Sequence, residues 1–333
     1  MRELIRSRKP ERLILKTNRF CCRSQKPRAS LASFPAIGLA VALLSNTALG
    51  TEDVPHLPFA QWAELPKPGQ FIAGIVYEES EAYHIYVKGV SYNVTYHFGG
   101  ESYGIDVNQG YVTLQYGISE RWAADLNVGA TTAAWRYFDN GTIQSVTGLM
   151  DSSVGIRYQV FNERTASSSW VPTLTFRLSG ILPGTYDEDF AFTPGSHSTG
   201  IEPEVLMRKH FGWPGLGAYL DALYRWNFTT ENSQYVTVIG LFQQIKGWEL
   251  DVGYRHLQTL SGSDITFNPS DPTSLFYPRD VREINDSIEA GFSYTTAKRQ
   301  LRYGFHCRTV FDGNNSDRKF WVGGSFDIPF GGK

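Results

Sequence analysis

The sequence is poor in cysteine, methionine and charge. Among 333 residues there are three cysteines and three methionines, and charged residues make up 19%, whereas aromatic residues reach 14%. Cys21 and Cys22 both lie within the first 50 residues. If that segment is removed, Cys307 is the single remaining thiol, which excludes an intrachain disulfide and makes a cysteine-based metal site unexpected. The apolar and aromatic content is also too high for a disordered chain.

Long apolar runs are missing as well. The longest strongly apolar stretch, 36–44, has about half of the roughly 20 residues that a membrane-spanning helix needs, which excludes helical spans. A basic flank precedes this stretch, and the small residues Ala48 and Gly50 follow it. This order is typical of a secretory signal peptide, so residues 1–50 are predicted to be a signal peptide that is cleaved before Thr51. A buried helix of a soluble protein is the alternative.

The formal charge of -2 hides two segments of opposite sign. Residues 1–50 contain 10 Lys and Arg against 2 Asp and Glu, which leaves 21 basic and 31 acidic residues from position 51 onward. The mature chain therefore has a net charge of -10. A negative charge of this size repels phosphate, so nucleic acid is not expected as a partner.

Alternation of apolar and polar residues recurs along the mature chain, and no convincing amphipathic helix accompanies it. In 112–118, Val, Leu, Tyr and Ile alternate with Thr, Gln and Gly. A period of two indicates a β-strand with two chemically different faces. Twelve strands are predicted, at 71–77, 112–118, 122–128, 154–160, 174–178, 201–210, 216–224, 235–245, 248–254, 288–294, 301–305 and 320–330.

The connections between these strands alternate in length. Short links are predicted at 119–121, 162–169, 212–215, 246–247 and 296–298, and mostly long ones at 78–106, 135–149, 183–200 and 259–283. Short turns on one side, long loops on the other and aromatic residues near strand ends are typical of an outer-membrane barrel. An exported β-sandwich also alternates, but it buries its apolar face in a core and keeps its charges in water.

The predicted fold is thus an all-β, transmembrane, antiparallel up-and-down β-barrel of about 12 strands that follows an N-terminal signal peptide. Residues 51–68 are expected to form a periplasmic lead-in segment, 69–330 the barrel and 331–333 a C-terminal tail. The lead-in could instead plug the barrel mouth. An even number of strands returns both ends to one side, so both termini are expected in the periplasm of a bacterium, with the barrel in outer-membrane lipid.

Several motifs carry a family resemblance that covers most of 65–330. They are GQF at 69–71, VTLQYGISERWAADLNVG from Val112, SSVGIRYQVF from Ser152, LPGTYDED from Leu182 and WVGGSFDIPF from Trp321. The chain resembles the MetA-pathway of phenol degradation family, a broad group of outer-membrane barrels. The resemblance implies an outer-membrane location, traffic of small molecules that include aromatic compounds, and recognition by the barrel-assembly machinery through Phe326, Ile328 and Phe330. It assigns no functional residue.

Charged residues on the polar face of the strands are the candidate functional residues, since in a barrel that face lines the lumen. A charge in a narrow lumen must be paired or hydrated. An Arg–carboxylate network that braces the wall and a polar constriction that filters solutes are both compatible with the pattern. The candidate lumen charges are Arg157, Arg177, Glu204, Arg208, Asp221, Arg225, Glu249, Asp251, Arg255, Glu289, Arg302, His306 and Arg308.

The sequence favours a channel or transporter for small molecules, hydrophobic or aromatic compounds among them. A closed structural or binding barrel is the alternative, and a barrel lipid hydrolase is a remote one, because His197 and Ser198 are neighbours on an extended loop and point apart. No catalytic site, cofactor or metal is expected, since phosphate-binding loops and zinc motifs are missing. Inward glycines such as Gly155, Gly253 and Gly291 leave room for solutes or relieve crowding in a tight barrel.

Overall fold

The computed structural model describes residues 63–98, 100–136, 143–186, 197–212, 215–228, 232–268, 271–276 and 281–332. The predicted signal peptide and the lead-in up to residue 62 lie outside them. Among the described residues, no helix is long and apolar enough to cross a membrane. The strands are β1 (Gln70–Val87), β2 (Val90–Asn93), β3 (Tyr96–Phe98), β4 (Glu101–Tyr103), β5 (Ile105–Gly117), β6 (Trp122–Arg136), β7 (Ile143–Leu149), β8 (Ser152–Phe161), β9 (Thr173–Leu182), β10 (Gly200–His210), β11 (Leu216–Asn227), β12 (Gln234–Ile245), β13 (Trp248–Thr259), β14 (Thr266–Asn268), β15 (Asp271–Phe276), β16 (Ile284–Thr295), β17 (Arg302–Asn314) and β18 (Ser316–Gly331).

Twelve long strands form one closed antiparallel barrel. Their order around the wall is β1, β5, β6, β8, β9, β10, β11, β12, β13, β16, β17 and β18, and β18 pairs with β1 to close the sheet. Every long strand therefore has a neighbour on both sides, so the wall has no open edge. These strands coincide with the twelve predicted from alternation, and the predicted fold class is confirmed.

Exposure alternates along the wall strands as the sequence pattern requires. On β13, Leu250 and Val252 are about half exposed, whereas Glu249 and Arg255 are buried. Apolar side chains thus cover the outer face, and polar side chains point to the interior. An exterior of this kind is stable in lipid, because a closed sheet satisfies its backbone groups internally and exposes only apolar side chains.

Aromatic residues cluster at the ends of the strands joined by short turns, which we call the turn side. Trp122 contacts Tyr158 at 4.6 Å between ring centroids, and Trp248 contacts Tyr294 at 4.8 Å. Aromatic rings of this kind mark the interface between hydrocarbon and water. The opposite end, where the longer connections lie, is the loop side.

Several strands extend beyond their predicted bounds on the loop side, so the predicted long links at 78–106 and 135–149 are partly wrong. Strand β1 continues to Val87, and β6 and β7 occupy most of the second link. Glu79 and Glu81 point outward on β1 and interrupt the apolar face, although the backbone pairing to β5 and β18 continues past them. Strand pairing therefore extends past the end of the apolar band.

Apolar residues fill the loop-side end of the barrel interior. Side chains from the extended strand ends, among them Ile85, Ile105 and Trp135, pack with Tyr186 and Ile265 from the connecting segments. These residues are almost completely buried. Among the described residues, a packed hydrophobic cluster therefore occupies the loop-side end of the interior.

The two faces of β5 and β6 provide a test of this orientation. We expect Leu126→Arg, on the outer face, to lower the free energy of unfolding by about 2–4 kcal/mol, and Leu126→Glu by somewhat less. Gln115→Glu, at a neighbouring level on the inner face, should cost less than about 1 kcal/mol because the guanidinium of Arg157 already donates to the Gln115 side chain at 2.7 Å. Reversible unfolding in detergent or bilayers measures both. Equal losses at the two positions would contradict the assigned faces.

Candidate functional site

The structure places all thirteen candidate lumen charges on the inner face of the wall. Asp251, His306 and Arg308 are half-buried, and the other ten are buried. Their role in transport stays a prediction. Their partners divide them into groups that lie on different parts of the wall.

The largest group centres on Arg177 of β9. Its guanidinium donates to Asp125 at 2.8 Å, to Glu202 at 3.1 Å and to Glu204 at 3.0 Å. Arg225 contacts Glu202 at 2.7 Å on the far side. Together these residues form an ionic network that crosses β6, β9, β10 and β11.

The register of adjacent strands explains why the charged side chains around Arg177 meet. Arg157 on β8 lies directly opposite Arg177, and Glu204 on β10 lies opposite Arg177 on the other side. Two like charges in opposing positions repel each other, so a carboxylate must separate them. Asp125 does so, since it contacts Arg157 at 3.3 Å as well as Arg177. The three strands can therefore remain paired without an uncompensated charge.

A second group lies near the turn side on β10, β13 and β17. Glu249 receives Arg208 at 2.8 Å, Arg302 at 3.3 Å and the amide of Gln244 at 2.5 Å. Arg208 also lies 4.1 Å from the ring centroid of Phe242, a cation–π contact. This group ties together strands that are not neighbours in the sheet.

A third group contains a residue that the sequence analysis did not select. His306 is 2.7 Å from Glu78, and Gln109 donates to the same carboxylate at 2.6 Å. Glu78 fell within the predicted link 78–106 and was therefore not counted as a lumen residue. Its neighbours Tyr77 and Glu79 point outward while it is buried, so alternation continued past Tyr77 would have identified it.

Inward glycines in this barrel provide space for neighbouring side chains. A Cβ at Gly155 would lie 2.9 Å from Asp125 and 3.0 Å from Arg177, and one at Gly291 would lie 2.8 Å from Asp251. A Cβ at Gly240 would lie 2.3 Å from the Tyr219 ring. Of the two readings of the glycines, relief of crowding is the one that fits these positions.

The inner face of β12, like that of β5, carries no charge. Its inward residues are Gln234, Val236, Val238, Gly240, Phe242 and Gln244. Val236, Val238 and Phe242 form a buried apolar cluster with side chains of β11 and β13, including Tyr219. An uncharged stripe thus runs along the interior between the ionic groups, from one end of the strand to the other.

The last residues of the lead-in enter the barrel. The carbonyl of Ala63 accepts hydrogen bonds from Gln159 at 2.8 Å and Thr175 at 2.6 Å, and both side chains point inward. Ala63 is buried and packs with Tyr111 and Leu206. The described part of the lead-in therefore lies against the inner wall at the turn side.

An ion pair holds the turn between β8 and β9 at the rim of the barrel. Glu163 accepts a hydrogen bond from the backbone N–H of His210 at 2.9 Å, contacts the His210 ring and receives Lys209 at 3.2 Å. Burial pushes the pKa of Glu163 up, but the hydrogen bonds from His210 and Lys209 outweigh burial and hold the pKa below its usual value. The folded protein therefore favours the ionised carboxylate.

Comparison with known proteins gives one family and a set of barrel structures. The family model described as "Putative MetA-pathway of phenol degradation" matches residues 82–318. The COG4313 outer membrane channel from Pseudomonas putida F1 aligns with a TM-score of 0.62 at 15% identity, over 81% of this chain and 98% of that one. This likeness supports the barrel fold. No curated protein gives a significant match.

Two further solved structures align more loosely. The CymD monoaromatic hydrocarbon channel has a TM-score of 0.41 at 9% identity, over 80% of this chain and 89% of that one. A Pseudomonas aeruginosa FadL homologue has a TM-score of 0.40 at 10% identity, over 85% and 99%.

The network around Arg177 provides a test of wall bracing. We expect Arg177→Gln to lower the free energy of unfolding by about 3–5 kcal/mol, because it leaves buried carboxylates without their partner. The matched control is Arg164→Gln, which removes an exposed pair with Glu64 at 3.0 Å and should cost less than about 1 kcal/mol. Unfolding in denaturant measures both. A cost below about 1 kcal/mol at Arg177 would contradict the bracing role.

The rim ion pair predicts a dependence of stability on pH. Because the folded pKa of Glu163 is lowered, its contribution is complete above the pKa of the unfolded carboxyl, about 4.3, and is lost as pH falls through the folded pKa. Glu163→Gln should thus cost about 1 kcal/mol at neutral pH and progressively less in acid. Unfolding measured from pH 7 downward checks this, with Glu120→Gln in the exposed β5–β6 turn as control. A cost that grew in acid would contradict the assignment.

Proposed function

Since the chain belongs to the MetA-pathway of phenol degradation family, we propose that it is a non-enzymatic outer-membrane channel or transporter for small molecules. Its substrates in this proposal are apolar or aromatic compounds. The solute passes through the barrel interior along the uncharged stripe of β12, and the ionic groups on either side hold the wall in shape.

The β12 stripe is the observation that carries this proposal. An uncharged solute makes no favourable ionic contact with a charged wall. To pass along such a wall it would have to displace the partners of buried ions. Along β12 it meets Val236 and Val238, which offer apolar contact without that cost. Polar amides, Gln234 and Gln244, stand at the two ends of the stripe, where a solute would exchange contact with water.

Tyr219 lies across this path. Its ring lies over Gly240, and its hydroxyl lies over Gly253 of the next strand, so it spans the stripe from β11 to β13. The ring fills the space that the two glycines leave. Movement of this side chain would widen the passage at Gly240 and Gly253 without breaking an ion pair between Arg and carboxylate.

A closed barrel with a structural or binding role is the second candidate. The observation that favours it is the dense interior, in which a packed apolar cluster fills the loop side and Ala63 lies against the inner wall at the turn side. Such a barrel would serve as a rigid scaffold in lipid. The two candidates differ in one measurable property, the passage of solutes.

The proposed orientation places the turn side in the periplasm. Gln70 of β1 pairs with Gly331 of β18, so both ends of the barrel sequence lie at the turn side. Short turns face the periplasm in bacterial outer-membrane barrels. In this proposal Phe326, Ile328 and Phe330, which alternate along the outer face of β18, are the residues presented to the barrel-assembly machinery.

Tyr219 provides the test of transport. We expect Tyr219→Ala to increase the uptake of small aromatic solutes into proteoliposomes severalfold, because two glycines then lie opposite the shortened side chain and the passage widens. Tyr224→Ala, on the outer face of the same strand, is the matched control and should leave uptake unchanged. Folding is checked for each by heat-modifiable migration on gels. No uptake by the wild type or by Tyr219→Ala would favour the closed barrel.

A further inference from the structure

A proline interrupts the wall between β10 and β11. The two strands pair at Ile201 with Trp226 and again from Glu204 with Leu223, but the pairing is broken at Glu202 and Pro203. On its other side, β10 pairs with β9 without a break through the same residues. The irregularity therefore belongs to the β10–β11 seam alone.

The hydrogen bonds at the two ends of the seam show which backbone hydrogen bond is lost. Phe228 donates to Thr199 at 2.9 Å at one end of the seam, and Phe211 donates to the Leu216 carbonyl at 2.8 Å at the other. Hydrogen-bonded pairs alternate along an antiparallel ladder, so the odd-numbered residues of β10 exchange bonds with β11. Pro203 stands opposite Tyr224 at such a position. Proline has no N–H, and the carbonyl of Tyr224 therefore lacks its ladder donor.

This carbonyl lies at the level of the hydrocarbon. Apolar side chains continue beyond it toward the loop side, where Phe228 is 59% and Leu182 56% exposed on the outer face. Water is scarce at this depth, and a backbone acceptor without a donor is costly there. A donor brought by a bound molecule would satisfy it.

A groove in the outer wall leads to the seam. Its volume is about 750 Å³, within the range of small-molecule sites, and Pro203 and Tyr224 line it. Outward-facing aromatic side chains, Phe176 and Tyr158 among them, form its sides. The lining also includes Glu204, whose side chain points to the interior, so the groove reaches the wall at the place where the ladder is broken.

We propose that this groove binds a lipid-soluble molecule that consists of an aromatic body and one hydroxyl group. The hydroxyl donates to the carbonyl of Tyr224, and the aromatic body packs against Phe176 and Tyr158. The ligand reaches the groove from the bilayer. The site lies on the outer wall and does not depend on conduction through the lumen, so it stands or falls separately from the proposed channel.

The experiment compares two probes that differ in one donor. Para-hexylphenol carries the hydroxyl, whereas para-hexylanisole replaces it by a methyl ether of similar shape. Binding is measured by equilibrium dialysis against the protein in nanodiscs, and protein-free nanodiscs correct for partition into lipid. The wild type should bind the phenol about two- to tenfold more tightly than the ether, the factor expected for one net hydrogen bond.

Restoring the missing donor should abolish that preference. In Pro203→Ala the new N–H can bond to the Tyr224 carbonyl, so the ratio of the two affinities should fall to about one. Pro329→Ala is the matched control. Gly332 donates to Gly69 at 2.9 Å, so the residues of β18 that exchange hydrogen bonds with β1 are the even-numbered ones. Pro329, which lies opposite Ile72, therefore exchanges no hydrogen bond with β1. The ratio of the affinities for the two probes in Pro329→Ala should remain that of the wild type.

A second pair of variants tests the groove without altering the ladder. Ala222→Phe fills the groove and should weaken the binding of both probes by at least about fivefold, whereas Ala290→Phe, on the outer face of β16, should not. Equal affinity of the wild type for the two probes would overturn the proposal. So would an unchanged preference in folded Pro203→Ala, or unchanged binding in folded Ala222→Phe.

Discussion

The need to pair every backbone N–H and carbonyl without water decides the architecture of this protein. In hydrocarbon an open sheet edge is too costly, so the pairing of β1 with β18 that closes the wall is a condition for the rest of the fold. Once the sheet is closed, each strand has one face toward lipid and one toward an enclosed space. Apolar residues must occupy the face toward lipid, and every charge on a wall strand within the apolar band must lie on the face toward the enclosed space.

The enclosed charges explain why the interior resembles a protein core. Arg177 contacts three carboxylates, Glu249 receives two arginines, and Glu78 is held by His306 and Gln109. Side chains engaged in this way cannot move without exposing a buried charge. Val236 and Val238 on β12 contact other apolar side chains and hold no ion in place, which is why the variable part of the interior is expected there. In the proposed channel, rigidity and passage thus depend on different strands.

Sequence reasoning found the strands because lipid and lumen impose opposite chemistry on alternate residues. The alternation is weak in β12, since Val236, Val238 and Phe242 make its inner face apolar as well. Ends of strands beyond the lipid, such as 78–87, were missed because their outer face no longer needs to be apolar. Individual ion pairs could not be predicted, because they depend on the register of adjacent strands: Asp125 separates Arg157 from Arg177 only in the observed pairing. The broken bond at Pro203 also requires that register.

The inward glycines have a consequence for how such a barrel can vary through evolution. Each is complementary to a particular side chain from a neighbouring strand, as Gly240 is to the ring of Tyr219 and Gly155 to the pair of Asp125 and Arg177. Replacement of either member alone creates a collision or a void, so the two are expected to change together in related sequences. Pairs of covarying positions on adjacent strands would then record the lining of the lumen, and a lineage that altered one such pair could reshape its interior while the lipid-facing surface stayed the same.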